Sequence, residues 1–279
     1  PLYSSAASDV YKRQNTYSSF FSGVTAIVAE AAKSPSTFNS DIWASVTGFN
    51  NTVVLPISYT ILSLFLLLEL HSMMKRADAR GVDSIYWASQ VLLKIIIAKI
   101  LMDNMTTIID AIFEISASLV TSGQNYFTVN DNVTIDTKTI TDALDGQSIM
   151  SLLGYFVQAL LIKICGMVTQ QLSLLVIRLR FIEIYVFTAI AAIPFATLAS
   201  KEYSTIGKNY IKRMAALALH VVLIMVVLWC YTKLVGTATF TSSGSDALSG
   251  LSSALGYTIL MVIALFQTGG WSRSILSVS

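Results

Sequence analysis

Residues 53–70 read VVLPISYTILSLFLLLEL, a run of 18 residues with no charged side chain before Glu69. An α-helix rises about 1.5 Å per residue, so this run is long enough to cross the roughly 30 Å hydrocarbon core of a bilayer. Pro56 falls in the first turn of such a helix, where its missing N–H does little harm. The stretch therefore predicts a transmembrane helix.

The composition of the whole chain agrees with a membrane location. Of its 279 residues, 54% are hydrophobic and only 12% are charged, and the mean hydropathy is +0.66. Soluble domains carry about 25% charged residues, so this chain has too few charges to cover a soluble surface. The formal net charge of +2 is too small to indicate binding of nucleic acid.

A second long helix is predicted from about Tyr86 to Leu119, and it carries charges within an apolar segment. Its polar stripe consists of Lys99, Asp103, Asp110 and Glu114. At 100° per residue these four fall within about 60° of one another. Because charges facing lipid are costly, the stripe is predicted to line a hydrated path or to pair across a subunit interface. Two plainer interpretations stay open: a helix of ~34 residues extends beyond the bilayer into water, and Lys99 and Asp103 pair with each other.

The rest of the chain contains four more apolar stretches, at residues 149–177, 184–199, 214–234 and about 251–266. The segment 184–199 is short and contains Pro194 among alanines, which favours a broken, re-entrant or interfacial segment over a full span. The candidate broken-helix segment comprises Arg178, Arg180, Glu183 and Pro194, and its charged residues are typical of an anchor at the membrane edge. The predicted fold class is all-α: a polytopic transmembrane helical bundle of five to six spans with this one Pro-interrupted segment.

The positions of Lys and Arg predict the orientation in the membrane. Residues 201–213 carry four basic residues and one acid, and the linker 71–84 carries three basic residues and two acids. Residues 121–148 carry four aspartates and one lysine, which is typical of an extracytoplasmic loop. One full span at 149–177 then gives five crossings, with the N-terminus outside and the C-terminus cytoplasmic. Six crossings are the alternative if 184–199 also crosses.

The chain is predicted to have three regions. The run SSAASDVYKRQ at residues 4–14 resembles an in-frame translation of a transposase sequencing adapter, so residues 1–14 are expected to be an artefact. Residues 15–50 are predicted to be an N-terminal amphipathic region, containing either a helix on the membrane surface or an ordinary helix packed on the bundle. Residues 51–279 are predicted to be the transmembrane domain, which includes the polar loop 121–148.

No motif in the sequence predicts catalysis. A Gly-Lys-Ser/Thr phosphate loop, a His-Glu-x-x-His pattern, metal-spaced Cys/His pairs and a Gly-x-Ser-x-Gly elbow are all missing. His71 and His220 stand alone, and a lone histidine on an apolar helix is usually a hydrogen-bonded core residue. The prediction is a protein that is not an enzyme and that has no metal or other cofactor.

Residues 180–235 read RFIEIYVFTAIAAIPFATLASKEYSTIGKNYIKRMAALALHVVLIMVVLWCYTKLV. The run contains an IEIY entry at 182–185, an IPFAT break at 193–197 and a basic GKNY linker at 207–210. This block resembles the core of the TrbL-type polytopic membrane subunits of conjugative type IV secretion systems, in the variety found on mobile elements of Gram-positive bacteria. The resemblance extends over about Ser18 to Leu276.

The resemblance implies a multi-pass subunit of the bacterial plasma (inner) membrane. Such a subunit is in contact with lipid, forms a homo-oligomer and assembles with other type IV secretion membrane subunits and with ATPases. DNA meets it only indirectly or in transit, and partner ATPases supply the energy, which fits the missing nucleotide motif. The leading hypothesis is a channel or scaffold subunit that helps to translocate a DNA–protein substrate. The alternative is a secondary transporter of small solutes, but such folds show paired broken segments, and only 184–199 is of this kind.

Overall fold

The computed structural model describes residues 27–80, 84–126, 149–237 and 244–277, and every element in them is helical. The expected adapter run 1–14 and most of the loop 121–148 lie outside these residues. The helices are α1 Pro35–Phe38, α2 Ser40–Phe49, α3 Leu55–Arg80, α4 Ser84–Asp103, α5 Met105–Tyr126, α6 Ile149–Ala189, α7 Ala192–Thr197, α8 Ser204–Thr237 and α9 Gly244–Ile275, with a π-helix at Asn50–Val54 and further helical residues at 27–31. The predicted all-α helical bundle is confirmed.

Three helical stretches in the described part of the chain are long and apolar enough to cross a membrane: Ser40–Ser72, Met105–Gly123 and Ser204–Leu234. The first contains the predicted span 53–70. Large apolar side chains such as Leu67, Ile96 and Leu179 are more than half exposed. Apolar surface on this scale is unusual for a soluble protein, and lipid covers it without cost. The chain is a multi-pass membrane protein.

Short polar residues begin the first two helices. The Ser34 side chain accepts a hydrogen bond from the Thr37 amide, and Pro35 occupies the first turn of α1. Asn39 caps α2 in the same way, because its side-chain oxygen accepts from the Ile42 amide at 2.9 Å. These side chains satisfy amides that have no partner inside a first helical turn.

The prediction of one helix from 86 to 119 was wrong. Helix α4 ends at Asp103 and α5 begins at Met105, with Asn104 in a turn between them. The Asn104 side-chain amide donates to the Ile100 carbonyl at 2.9 Å, which the Asn104 backbone amide also contacts at 3.2 Å. Asparagine competes in this way with the backbone ladder, and sequence periodicity gives no sign of it.

Two other boundaries differ from the prediction. Helix α3 continues to Arg80, so most of the linker 71–84 is helical. Helix α6 has 41 residues and continues to Ala189, so the break predicted from residue 184 starts about six residues later. The apolar residues that precede Pro194 extend the helix until the proline removes a donor.

The chain divides into two compact units. The first unit comprises Pro1–Ala32, Leu119–Arg178 and Val221–Gly270. Its described core includes Ile27, Ile224, Leu228, Met261 and Leu265. In this unit Tyr231 and Thr258 are joined through their hydroxyls at 3.2 Å.

The second unit comprises Lys33–Ser118, Leu179–His220 and Trp271–Ser279. On α5, Met105, Ile109 and Phe113 recur every four residues and are all buried, as expected for one helix face. The short helix α1 is fixed to α6, because the rings of Phe38 and Phe181 stack with centroids 3.8 Å apart. All of the interactions described for the candidate site below lie within this second unit.

Candidate functional site

The α6–α8 connection is an interrupted helix whose backbone is satisfied locally. The Ala191 amide donates to the Thr188 carbonyl at 3.2 Å, and the Ile193 amide donates to the Ile190 carbonyl at 3.2 Å. Pro194 has no N–H, so the Ile190 carbonyl, its partner in a regular α-helix, instead accepts from a residue three positions on. The predicted Pro-interrupted segment therefore exists, and it consists of the turn at Ile190, the six residues of α7 and the turn before α8.

Most of helix α7 is buried, and among its six residues only Ile193 is exposed. Ala191, Ala192 and Ala196 are completely buried, and α7 contacts α3, α4 and the π-helix. Non-helical backbone at membrane depth is tolerated where protein covers it. The small side chains allow three neighbouring elements to approach closely enough to provide this cover.

Asn50 connects the π-helix to the end of α6. Its side-chain amide donates to the Thr188 carbonyl at 2.5 Å, and the residue is completely buried. Its side-chain oxygen, in contrast, has no hydrogen-bond partner in the described residues. Thr188 accepts a second hydrogen bond from the Ala191 amide, so one carbonyl holds both the turn and the π-helix.

Gly207 sets the distance between α8 and α7. A Cβ atom at this position would lie 2.6 Å from the Pro194 carbonyl oxygen and 2.6 Å from the Leu198 side chain. Real Cβ contacts essentially never fall below 3.0 Å. Only glycine therefore allows the first turn of α8 to pack this closely on the break.

Tyr210 fixes α8 to both sides of the same break. Its hydroxyl donates to the Phe187 carbonyl at 3.0 Å near the end of α6. Its ring makes edge contacts with Phe187 and with Phe195 of α7, at centroid distances of 6.4 and 5.7 Å. The GKNY segment thus supplies a close approach at Gly207 and a clamp at Tyr210.

The three charged residues before the break, Arg178, Arg180 and Glu183, lie in different environments. Arg180 is buried, with 3% of its surface exposed, and its Nε donates to the Leu217 carbonyl at 2.8 Å between the rings of Phe113 and Phe181. Arg178, two residues earlier, is exposed. Arg180 therefore holds α6 to α8 and is not an anchor at the membrane edge.

Glu183 forms an ion pair with Arg213 of α8 at 3.0 Å. The Arg213 guanidinium lies 4.3 Å from the centre of the Phe187 ring. The cation is thus placed between a carboxylate and an aromatic face, which is a favourable arrangement for arginine. Together with Arg180 and Tyr210, this pair gives three polar connections between α6 and α8.

The predicted polar stripe is divided between α4 and α5. Lys99 and Asp103 pair on α4 at 2.8 Å. The Tyr59 hydroxyl of α3 donates to the same carboxylate, and the Lys99 ammonium lies 5.6 Å from the centre of the Tyr59 ring. This is the pairing that the sequence left open as an alternative, with a tyrosine from the neighbouring helix added.

Asp110 and Glu114 on α5 line a cleft of about 350 Å³. Its other lining residues are Trp43, Thr47, Asn51, Thr106, Thr107 and Ala111. Asp110 accepts a hydrogen bond from the Ser36 hydroxyl at 3.1 Å. The cleft lies beside the candidate span Met105–Gly123, so it is a polar recess in an apolar helix pair.

Structure and sequence agree only in part on the site residues. Within the described residues, no hydrogen bond or ion pair joins Lys99 and Asp103 to Asp110 and Glu114. Asn50 was missed, and its only sequence signal was an amide directly before a long apolar run.

Comparison with protein families identifies a family to which most of the described chain is similar. Residues 21–192 match the family described as TrbL/VirB6 plasmid conjugal transfer like protein. None of the curated proteins and none of the solved structures matches the chain. The matched range covers more than half of the chain, including the polar stripe, the cleft and α6, and it stops just before Pro194. On this match, the chain belongs to the TrbL/VirB6 family of plasmid conjugal transfer-like proteins.

Proposed function

We propose that this chain is a channel or scaffold subunit of a conjugative type IV secretion system in the bacterial plasma membrane, where it helps to translocate a DNA–protein substrate. The family is one of membrane components of conjugal transfer systems. The observation that carries the finer proposal is the cleft on α5, where two carboxylates face a recess beside a membrane span.

Two carboxylates at this position need water, a cation or a protein partner. Ionised side chains within membrane spans face a bundle interior, a cavity or a partner, because lipid does not solvate them. A cleft of about 350 Å³ has the size of a pocket for a small ligand and not that of a conduit. The cleft is therefore not itself the path for DNA, and the proposal places that path between this chain and its partners. Partners in the proposal are further copies of the chain, other secretion membrane subunits and ATPases.

The proposal includes an orientation in the membrane. The basic residues around α7 and α8 favour a cytoplasmic side, and the aspartates of residues 121–148 favour the outside. With the N-terminus outside and the C-terminus cytoplasmic, the start of α8 faces the compartment that contains the secretion ATPases. On this side the partner ATPases, which supply the energy for transfer in this proposal, can reach the start of α8.

The test is conjugal transfer from a donor cell in which the gene has been disrupted. We expect transfer to be lost and to be restored by the wild-type gene. The double variant Asp110→Asn, Glu114→Gln should not restore it, although the protein is present in the membrane at the wild-type amount. Glu202→Gln is the matched control, because this acid is exposed in the turn before α8, and it should restore transfer. Unchanged transfer after disruption of the gene would exclude the proposed function.

A secondary transporter of small solutes is the second candidate. The observation that favours it is the contact between α7 and the π-helix, because two interruptions of regular α-helix then meet in one unit. Vesicles that contain only this protein would take up solute down an imposed ion gradient if it were a transporter. Absence of uptake, together with loss of transfer in the donor assay, would exclude the transporter and support the secretion subunit.

A further inference from the structure

The first turns of α8 present a basic face that the fold itself does not use. Lys208 and Lys212 are exposed and lie about one turn apart, with exposed Thr205 and Asn209 on the same side of the helix. Lys201 is also exposed, in the turn before α8. Within the part of the chain that the structure describes, none of these three lysines forms an ion pair with a carboxylate. The three lysines, which together form the basic face, are therefore open to an anionic partner.

The basic face has a fixed place on the second unit. Gly207 and Tyr210, on the opposite side of α8, pack on the break. The Ser200 side chain accepts a hydrogen bond from the Tyr203 amide at 3.3 Å, which orders the turn before α8. The Tyr203 ring contacts the Phe65 ring of α3 at a centroid distance of 5.4 Å. The lysines are thus held beside the middle of α3.

Exposed apolar surface adjoins the basic face. Tyr203 is 45% exposed although its ring contacts Phe65, and Ile206 is 52% exposed. Leu64 and Leu68 of α3, on either side of Phe65 in the chain, are more than half exposed. Cations and uncovered apolar side chains therefore meet at one place.

The basic face lies at the level of the lipid headgroups. Residues 214–234 of α8 form the apolar run of this helix, and their length of about 31 Å is enough to fill the hydrocarbon core of roughly 30 Å. Along the helix axis, Lys212 lies about 3 Å and Lys208 about 9 Å before this run. Since the headgroup layer is roughly 5–7 Å deep on each side of the bilayer, the two ammonium groups bracket its phosphates.

We propose that the basic face of α8 and the adjoining apolar surface of α3 bind an anionic phospholipid, with its phosphate on the lysines and its acyl chains along the exposed leucines. Every span of the chain contacts lipid, but only at this place do we expect a preference for negatively charged headgroups. A nucleic acid or a free phosphate ion would match the lysines alone, whereas a phospholipid matches both the cations and the apolar surface.

Quenching by brominated lipids tests this preference at the site. The full chain, with Cys165 and Cys230 replaced by serine and with Thr205→Cys carrying a fluorophore, is reconstituted into phosphatidylcholine vesicles. Each lysine near an anionic surface strengthens the attraction roughly fivefold. Brominated phosphatidylglycerol should therefore bind near the fluorophore at least about fivefold more strongly than brominated phosphatidylcholine does. A fluorophore on Ile57→Cys, which is exposed about 12 Å along α3 from Phe65, should show no such preference.

Charge variants show whether the lysines cause the preference. The triple variant Lys201→Gln, Lys208→Gln, Lys212→Gln should make the two lipids quench equally. Glu202→Gln removes an exposed carboxylate from the same turn and should increase the preference for phosphatidylglycerol. Lys33→Gln, at an exposed lysine before α1, is the control and should change nothing.

Two results would overturn the inference. One is equal quenching by the two lipids in the chain with its lysines intact, which would favour an acidic protein surface as the partner of the basic face. The other is a preference that persists in the triple variant. Neither result bears on the proposed function, which the transfer assay tests separately.

Discussion

Replacement of Gly207 by alanine should destabilise the second unit at the break. The added Cβ would lie 2.6 Å from the Pro194 carbonyl oxygen, whereas non-bonded heavy atoms prefer about 3.5–4.0 Å. Leu198 can rotate away, because the nearest atoms there belong to a flexible side chain. The carbonyl belongs to the backbone of a buried helix and cannot, so α8 must move by about 1 Å.

The expected cost follows from two opposed effects. Overpacking of a well-packed site costs roughly 1–3 kcal/mol. Exchange of glycine for alanine within a helix returns up to about 1 kcal/mol. The rigid neighbour places the packing cost near the upper end, so the net loss is about 2 kcal/mol. For a chain of this size that corresponds to a fall in Tm of roughly 4–8 °C.

Thermal stability in detergent, followed by the monodisperse fraction in size-exclusion chromatography, provides the measurement. Gly48→Ala is the matched control, because Gly48 also lies in a helix and its added Cβ would have no neighbour within 4 Å. This variant should be unchanged or slightly more stable. If Gly207→Ala behaves as Gly48→Ala does, the close approach of α8 to α7 is not as described.

Three smaller changes probe the same unit and its orientation. Tyr210→Phe removes the hydroxyl that donates to the Phe187 carbonyl and should lower stability by about 1 kcal/mol, measured by the same thermal assay. Asn50→Leu should reduce stability only slightly, because it removes a buried oxygen without a partner together with the amide that donates. Asn50→Asp places a carboxylate without a donor in the same buried site, and it should prevent accumulation of folded protein. In a cysteine-free background, Thr137→Cys should react with a membrane-impermeant maleimide on intact cells and Ser204→Cys should not; labelling of both would require six crossings.

Much of the fold was predictable because the mean hydropathy of a long run of residues is sufficient to identify a helix in lipid. The runs at 53–70 and 214–234 required helices in lipid whatever their neighbours were. The exact ends were not predictable from the same signal. Asn104 divides the second helix through a hydrogen bond to a single carbonyl, and a window average over apolar residues does not detect such a local competition.

The sequence predicted which residues belong to the candidate site, but it did not predict most of the contacts between them. The i, i+4 spacing of Lys99 and Asp103 was sufficient to predict their pairing, because that pair lies within one helix. Glu183 and Arg213 are 30 residues apart, and their ion pair depends on how α6 turns through the break onto α8. No periodicity carries that information. The same holds for Asn50, which is 138 residues from the carbonyl that it binds.

The polar groups of the second unit are of two kinds, and the difference indicates what each is for. Arg180 is buried and donates to a backbone carbonyl of α8, so its loss should reduce the amount of folded protein. Glu114 is exposed, and Asp110 opens onto the cleft and accepts from the Ser36 hydroxyl, so no ion pair of the described residues depends on their charge. An ionised side chain in a membrane span needs water, a cavity or a partner, because lipid does not solvate it. Variants of the buried group should therefore lower protein abundance and transfer together, whereas variants of the cleft should lower transfer at constant abundance.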